Sequence, residues 1–162
     1  MQDWFRNAKL GLFIHYGIYA VKGIGESWSF YNGLISYDDY MEQLKGFTAS
    51  RLDMDYWAQL ADDMGAQYAV LTTKHHDGVA LFDTAYSDLN TIKRTPAARD
   101  IIKEYTDAFR KKGIRIGLYY SLIDWSHPDY PSVYQDGVIP EHPEKSNPFC
   151  SPLDGKEDPE RW

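Results

Sequence analysis

Apolar residues along this chain concentrate in three short runs, at residues 10–17, 68–73 and 114–121. The segments between the runs have the wider spacing of amphipathic helices. Continuous apolar runs of this length are typical of strands covered on both faces. The pattern therefore predicts three buried strands with helices between them.

The first predicted helix precedes the second strand. Its apolar positions are spaced i, i+3, i+4 and i+7, which predicts one buried stripe of Trp57, Leu60, Ala61 and Met64. Asp53 or Asp55 is positioned to cap its start, and Gly65 to end it.

The second predicted helix precedes the third strand, and its stripe consists of Ile101, Ile102, Tyr105, Ala108 and Phe109. Asp100 lies at its start and Gly113 at its end. Strands that alternate with helices imply an α/β fold with parallel strands and right-handed crossovers. Long loops at 18–50 and 79–97 leave the carboxyl ends of strands, whereas the turns on the opposite side are tight. Such asymmetry marks the functional face of a (β/α)8 barrel, but an open doubly wound sheet would show it too.

The alternation ends after Trp125, and six of the eight prolines follow between Pro131 and Pro159. A complete barrel needs roughly 250 residues, and this chain has 162. The chain therefore looks like the first part of a larger domain, such as a partial (β/α)8 TIM barrel that comprises the first three βα units, and a complete small open sheet is the alternative. Residues 1–130 are expected to form the N-terminal part of the barrel, and residues 131–162 a long, truncated loop after the third strand.

Composition excludes some classes of binding partner, but it does not identify a reaction. The net charge of −7 argues against nucleic acid or an anionic membrane as partner. No stretch is long and apolar enough to span a membrane. Cys150 is the single cysteine, so no disulfide can form within the chain. The 13 tyrosines and 5 tryptophans suit a carbohydrate ligand, although aromatic residues also fill cores.

Polar, titratable residues follow all three strands: His15-Tyr16-Gly17, His75-His76-Asp77-Gly78 and Tyr119-Tyr120-Ser121. Carboxyl ends of parallel strands lie on one face, so three of the five histidines are expected to meet there. Neighbouring residues of a strand point to opposite faces. His75 and His76 can therefore share a site only if the chain turns, as Asp77-Gly78 indicates.

Neutral histidines, a tyrosine and Glu26 from the first long loop are suitable hydrogen-bond partners for the vicinal hydroxyls of a sugar. Trp28 or Trp125 could supply an apolar platform. A metal site is the rival interpretation, because His and Asp are common ligands. However, the chain has neither a His-x-His strand nor a helix with His at i and i+4. Ser121 lacks a Gly-x-Ser-x-Gly context, so a serine hydrolase is poorly supported.

Several runs together resemble the N-terminal part of the catalytic barrel of α-L-fucosidases, the retaining glycoside hydrolases that remove terminal L-fucose. They are residues 8–19, 68–78, 82–83, 86–88, 93–96, 99–100 and 117–125. Two departures are visible: Tyr16 stands where the family usually has Trp, and Ser27 separates Glu26 from Trp28.

The resemblance implies a sugar-binding wall in which three histidines bind fucose hydroxyls, a tyrosine lines the pocket and a glutamate lies beside an aromatic residue. With the platform residue, the wall consists of His15, Glu26, Trp28, His75, His76 and Tyr119. The implied function is hydrolysis of terminal α-L-fucosyl residues from glycoconjugates by a retaining double displacement. The implied partner is a fucosylated oligosaccharide or glycan, with no cofactor and no metal, and homo-oligomerisation stays open. Family members are periplasmic, secreted or lysosomal.

In this family the nucleophile is an aspartate after the fourth barrel strand, and the acid/base comes later. This chain is thus expected to lack both, and neither Asp77 nor Asp124 is assigned to these roles. Two alternatives remain at this point: a non-catalytic fucose-binding module, and a metal-dependent hydrolase that uses His and Asp ligands.

Overall fold

The computed structural model describes residues 2–127, so the predicted loop at 131–162 lies outside the described residues. Three strands form one sheet: β1 (Gly11–Ile14), β2 (Tyr68–Lys74) and β3 (Arg115–Tyr120). They pair in the order β1-β2-β3, and both pairings are parallel. The predicted α/β class with parallel strands is confirmed.

Six α-helices lie in the described part: α1 (Asp3–Asn7), α2 (Trp28–Tyr31), α3 (Tyr37–Met41), α4 (Met54–Asp63), α5 (Thr91–Arg94) and α6 (Ile101–Lys111). Two 3-10 helices, Ile18–Ala20 and Glu42–Gly46, flank α2 and α3. Among the residues described, no helix has the length and apolarity needed to cross a membrane.

The stripe predicted for α6 is confirmed, because all five of its residues are buried. Asp100 caps this helix by accepting a hydrogen bond from the Lys103 amide at 2.8 Å. Tyr105 donates its hydroxyl to the Ala69 carbonyl at 2.6 Å, which joins the helix to β2.

The stripe predicted for α4 is wrong in part. Ala61 is buried, Trp57 is half-buried, and Leu60 and Met64 are exposed. The buried face instead consists of Met54, Ala58 and Ala61. Both sets have helical spacing, but the helix packs through its two alanines, whose small side chains allow close approach. Of the two predicted caps, Asp53 performs the role, accepting from the Tyr56 amide at 2.9 Å.

The first strand is shorter than predicted because its end bonds to a side chain instead of the sheet ladder. The Tyr16 amide donates to Thr72 Oγ1 at 3.1 Å, and Thr72 Oγ1 donates to the Tyr16 carbonyl at 3.0 Å. His15 is therefore outside the hydrogen-bonded ladder between β1 and β2, but it remains beside β2.

The long segment at 18–50 is a folded layer and not an open loop. It contributes Phe30, Tyr40 and Phe47 to the core, all nearly inaccessible to solvent. This layer packs at the carboxyl end of the sheet, where it meets the residues that follow each strand. Helix α6 packs on β2 and β3, and α4 packs on α6, whereas Phe13 of β1 remains 55% exposed.

Candidate functional site

Four aromatic rings from the three strand ends form one cluster. The His15 ring lies 5.4 Å from His75 and 6.2 Å from Tyr119, measured between ring centroids. Tyr119 is also 5.9 Å from His75, and His75 is 4.3 Å from His76. The strand-end residues of the predicted site are therefore brought together.

The two adjacent histidines share this cluster because the chain turns immediately after β2. Lys74 is the last strand residue, and the Gly78 amide donates to the His75 carbonyl at 3.1 Å. Gly78 has a φ of 79°, a left-handed conformation that favours glycine. The predicted turn at Asp77-Gly78 thus supplies the geometry that two neighbouring histidines need.

Hydrogen bonds define the tautomer of His76. Ser121 Oγ donates its single hydrogen to the Ile123 carbonyl at 2.7 Å, so at 2.5 Å it accepts from His76 Nδ1. In the neutral ring Nε2 is then the acceptor. Burial lowers the pKa of His76, which favours this neutral form. Its free nitrogen can accept a hydrogen bond from a hydroxyl group.

His75 is held by Ser27. The two side chains are buried, and Ser27 Oγ lies 2.5 Å from His75 Nδ1. Burial, and then the neighbouring His76 and His15, lower the pKa of His75 to about 3. The ring is therefore neutral around pH 7, and Nε2 is left for an external partner.

The two candidate platform tryptophans have different roles. Trp28 is 42% exposed, and its ring meets His76 edge-on at 5.7 Å. Trp125 is only 3% exposed, stacks on Tyr31 at 4.5 Å and supports the ring of His76 at 4.7 Å. Of the two, only Trp28 is exposed, so the buried Trp125 does not suit the role of platform, and the role of Trp28 stays a prediction.

Glu26 reaches the same cluster from the segment before α2. Ligating atoms of Glu26, His15 and His75 all lie within 4.8 Å of one another. The site thus combines two imidazoles and a carboxylate at one point.

The acids near the site bond to protein groups. Asp77 is fully buried and accepts from the Tyr40 hydroxyl at 2.7 Å and from the Val79 amide at 3.0 Å. Burial raises the pKa of Asp77 to about 6, although these two hydrogen bonds oppose the shift. Asp124 Oδ2 accepts from Lys74 Nζ at 2.9 Å.

Sequence reasoning missed the supporting residues Ser27, Tyr31, Tyr40 and Lys74. Ser27 directly precedes a helix, a position that ordinarily indicates a helix cap. Lys74 has the position of a polar residue at the end of a strand. No local signal distinguishes these residues from ordinary cap, core and surface positions, since their partners are distant in the sequence.

Comparison with known proteins identifies the family of this chain. The family model "Alpha-L-fucosidase" matches residues 1–147. The mouse tissue alpha-L-fucosidase is 34% identical over 160 residues, covering 88% of this chain and 35% of the relative. The human plasma alpha-L-fucosidase is 38% identical over 142 residues, covering 77% and 30%. The chain therefore spans about a third of the length of these relatives.

Solved structures lead to the same family. Alpha-L-fucosidase isoenzyme 1 from Paenibacillus thiaminolyticus superposes with a TM-score of 0.82 at 43% identity, over 98% of this chain and 36% of that one. An alpha-L-fucosidase from Lactobacillus casei, solved with its α-L-fucose product, gives 0.80 at 29% identity, over 98% and 52%. The family match and the shared fold show that this chain belongs to the alpha-L-fucosidase family.

Proposed function

We propose that this chain forms the sugar-binding wall of an enzyme that hydrolyses terminal α-L-fucosyl residues of glycans. The observation that carries the proposal is the convergence of His15, His75, His76 and Tyr119 at the carboxyl end of a parallel sheet. Membership of the family supports the choice of L-fucose among sugars.

The chemistry of the wall suits a deoxy sugar. Two buried neutral histidines offer ring nitrogens that accept hydrogen bonds from hydroxyl groups, and Glu26 adds carboxylate oxygens. Buried acceptors left unpaired by a wrong stereoisomer would cost binding energy, which favours one arrangement of hydroxyls. The exposed part of Trp28 offers an apolar surface for the methyl group or a ring face of fucose.

The proposal extends to the architecture. The three βα units constitute the beginning of a (β/α)8 TIM barrel, with residues 1–130 as its N-terminal part and 131–162 as the loop after β3. The strand-end position of the wall agrees with active sites of such barrels, which lie at the carboxyl ends of the strands.

Hydrolysis with retention requires two carboxyl groups roughly 5–5.5 Å apart. One attacks the anomeric carbon as the bond to the leaving oxygen breaks, while the other donates a proton to that oxygen. The second group then removes a proton from water, which displaces the enzyme carboxylate from the sugar. Asp77 and Asp124 are bonded to Tyr40 and Lys74 and do not suit these roles. We propose that both reacting carboxyl groups lie outside residues 2–127.

Calorimetric titration of this chain with L-fucose tests the wall. We expect weak, saturable binding that His76→Ala abolishes, with D-fucose as the stereochemical control. His127→Ala, a histidine outside the cluster, should bind like the wild type. Absence of L-fucose binding by a folded wild-type chain, judged by circular dichroism, would overturn the proposal.

A second measurement tests the assignment of the reacting groups. The chain alone should not release the aryl group from an aryl α-L-fucoside, because it has no free carboxyl pair in the wall. Turnover at the rate of a full-length fucosidase would place the nucleophile within these 162 residues and contradict the expectation that this chain lacks it.

A further inference from the structure

His15, Glu26 and His75 have the donor atoms of a transition-metal site. One ligating atom from each lies within 4.8 Å of the other two. A tetrahedral zinc ion bound at about 2.0–2.2 Å places its ligand atoms roughly 3.4 Å apart. The three side chains therefore need to approach each other by at most about 1.4 Å to share one ion.

The cluster has one fixed member and two adjustable ones. His75 is buried, and Ser27 Oγ contacts Nδ1 at 2.5 Å, which orients the ring as an outer-sphere partner does in metal proteins. His15 is exposed and Glu26 is half-buried, in a segment without regular structure. Small side-chain rotations of these two residues can close the distance without moving the sheet.

We propose that His15, Glu26 and His75 bind one divalent transition-metal ion of the zinc type when no sugar is present. Two imidazole nitrogens and one carboxylate, with a fourth position open to water, match the ligand set of many zinc sites. Calcium and magnesium prefer an all-oxygen shell, so they should bind poorly.

Neighbouring groups restrict the ion to this trio. The ligating atoms that lie within 4.8 Å of one another belong to His15, Glu26 and His75, and His76 is not in that group. Asp77 accepts hydrogen bonds from Tyr40 and Val79, and Asp124 pairs with Lys74.

Binding of the metal has one consequence that rests on the proposed function. The ion and L-fucose would use the same nitrogens of His15 and His75, so each should exclude the other. Zinc would then act as a competitive inhibitor of the sugar site and not as a cofactor.

Calorimetric titration of ZnCl2 into the chain, purified without a polyhistidine tag, tests the site. We expect one ion per chain and a loss of affinity of roughly tenfold or more in His15→Gln and in Glu26→Gln. His127→Gln should keep the wild-type affinity. Cobalt should give the intense visible absorption of tetrahedral coordination in the wild type and the weak spectrum of the hydrated ion in Glu26→Gln.

Two results would overturn the metal site: no zinc binding by the folded wild-type chain, or stoichiometric binding that neither substitution weakens. Glu26→Gln preserves the shape of a half-buried residue, and circular dichroism confirms that the variant is folded. A titration repeated in L-fucose separates the two proposals. Weaker zinc binding in fucose supports competition, whereas unchanged zinc binding leaves the metal site standing and contradicts a shared sugar site.

Discussion

Single side chains from distant parts of the sequence orient the histidines. Ser27 precedes α2, yet it makes no side-chain hydrogen bond to the amides of that helix. Its hydroxyl is directed at Nδ1 of His75, 48 positions away. Serine commonly caps the start of a helix, but here Ser27 orients a candidate ligand-binding ring.

Replacement of Ser27 should weaken ligand binding more than replacement of a helix-capping serine outside the site. Ser27→Ala leaves a buried ring nitrogen without its partner, which should lower the free energy of unfolding by about 1–3 kcal/mol. It should also weaken L-fucose binding, because the ring loses its fixed orientation. Isothermal titration and urea unfolding measure the two effects.

Ser36→Ala is the matched control for Ser27→Ala. Ser36 caps α3 by accepting from the Asp39 amide at 3.1 Å, and it lies outside the histidine cluster. It should lower stability by about 1 kcal/mol and leave fucose affinity unchanged. Equal effects of the two variants on affinity would contradict the role given to Ser27.

Gly78 is the residue that makes the double-histidine turn possible. A Cβ atom there would overlap Ser126 Oγ and lie 2.6 Å from Asp124 Oδ1, in addition to the strain of a φ of 79°. Gly78→Ala should therefore lower the free energy of unfolding by about 3 kcal/mol or more, the sum of strain and steric overlap. Fucose binding should be lost with it.

Gly113→Ala separates these two causes. Gly113 has a φ of 70° with no atom within 4 Å of the added Cβ, so only the backbone strain of about 1–2 kcal/mol applies. Chemical unfolding of both variants measures the difference. A Gly78→Ala protein as stable as Gly113→Ala would contradict the close packing described at the turn.

Between elements, the pair Lys74–Asp124 ties the end of β2 to the segment after β3. Their side chains are 7% and 22% exposed, and the charged atoms are 2.9 Å apart. Lys74 also lies 5.1 Å from the centre of the Tyr120 ring. The segment that carries Trp125 is thereby held against His76, with the Trp125 amide donating to the His76 carbonyl at 2.7 Å.

Loss of the Lys74–Asp124 pair should lower the free energy of unfolding more than loss of an exposed ion pair does. Lys74→Met leaves the carboxylate of Asp124 partly buried and unpaired, so stability should fall by about 2–4 kcal/mol. Lys111→Met removes the exposed contact to Asp55 at 3.2 Å and should cost less than about 1 kcal/mol.

A double-mutant cycle of Lys74→Met with Asp124→Asn isolates the interaction itself. The double variant should be more stable than the sum of the two single losses predicts. Strict additivity in urea unfolding would show that the pair contributes no coupling, and would contradict its role as a connection between β2 and β3.

For the molecule as a whole, one face of the sheet keeps exposed apolar surface among residues 2–127, although α1 packs on Tyr68 there. Helix α6 packs on β2 and β3, and Phe13 remains 55% exposed in the middle of β1. Exposed apolar sheet surface of this kind promotes association. The chain by itself is therefore expected to self-associate through this exposed face of the sheet.

Phe13→Glu should shift the sedimentation profile towards the monomer, because a charge on this face opposes burial between two copies. Leu34→Glu is the control, since Leu34 is exposed and lies in the segment between α2 and α3, away from the sheet. A wild-type chain that sediments as a monomer at all concentrations would contradict the expected association.

Features that depend on local spacing can be predicted from the sequence alone. The three strands, the buried face of α6, the cap Asp100 and the turn at Gly78 follow from periodicity and from residues with special backbone preferences. The convergence of His15, His75 and Tyr119 also followed, because parallel strands have their carboxyl ends on one side. Features that depend on partners distant in the sequence are visible only in the folded structure. Packing through Ala58 and Ala61 selected the buried face of α4, and folding of the long first segment brought Ser27 onto His75 and buried Trp125. These contacts join residues far apart in the sequence, so no local pattern records them.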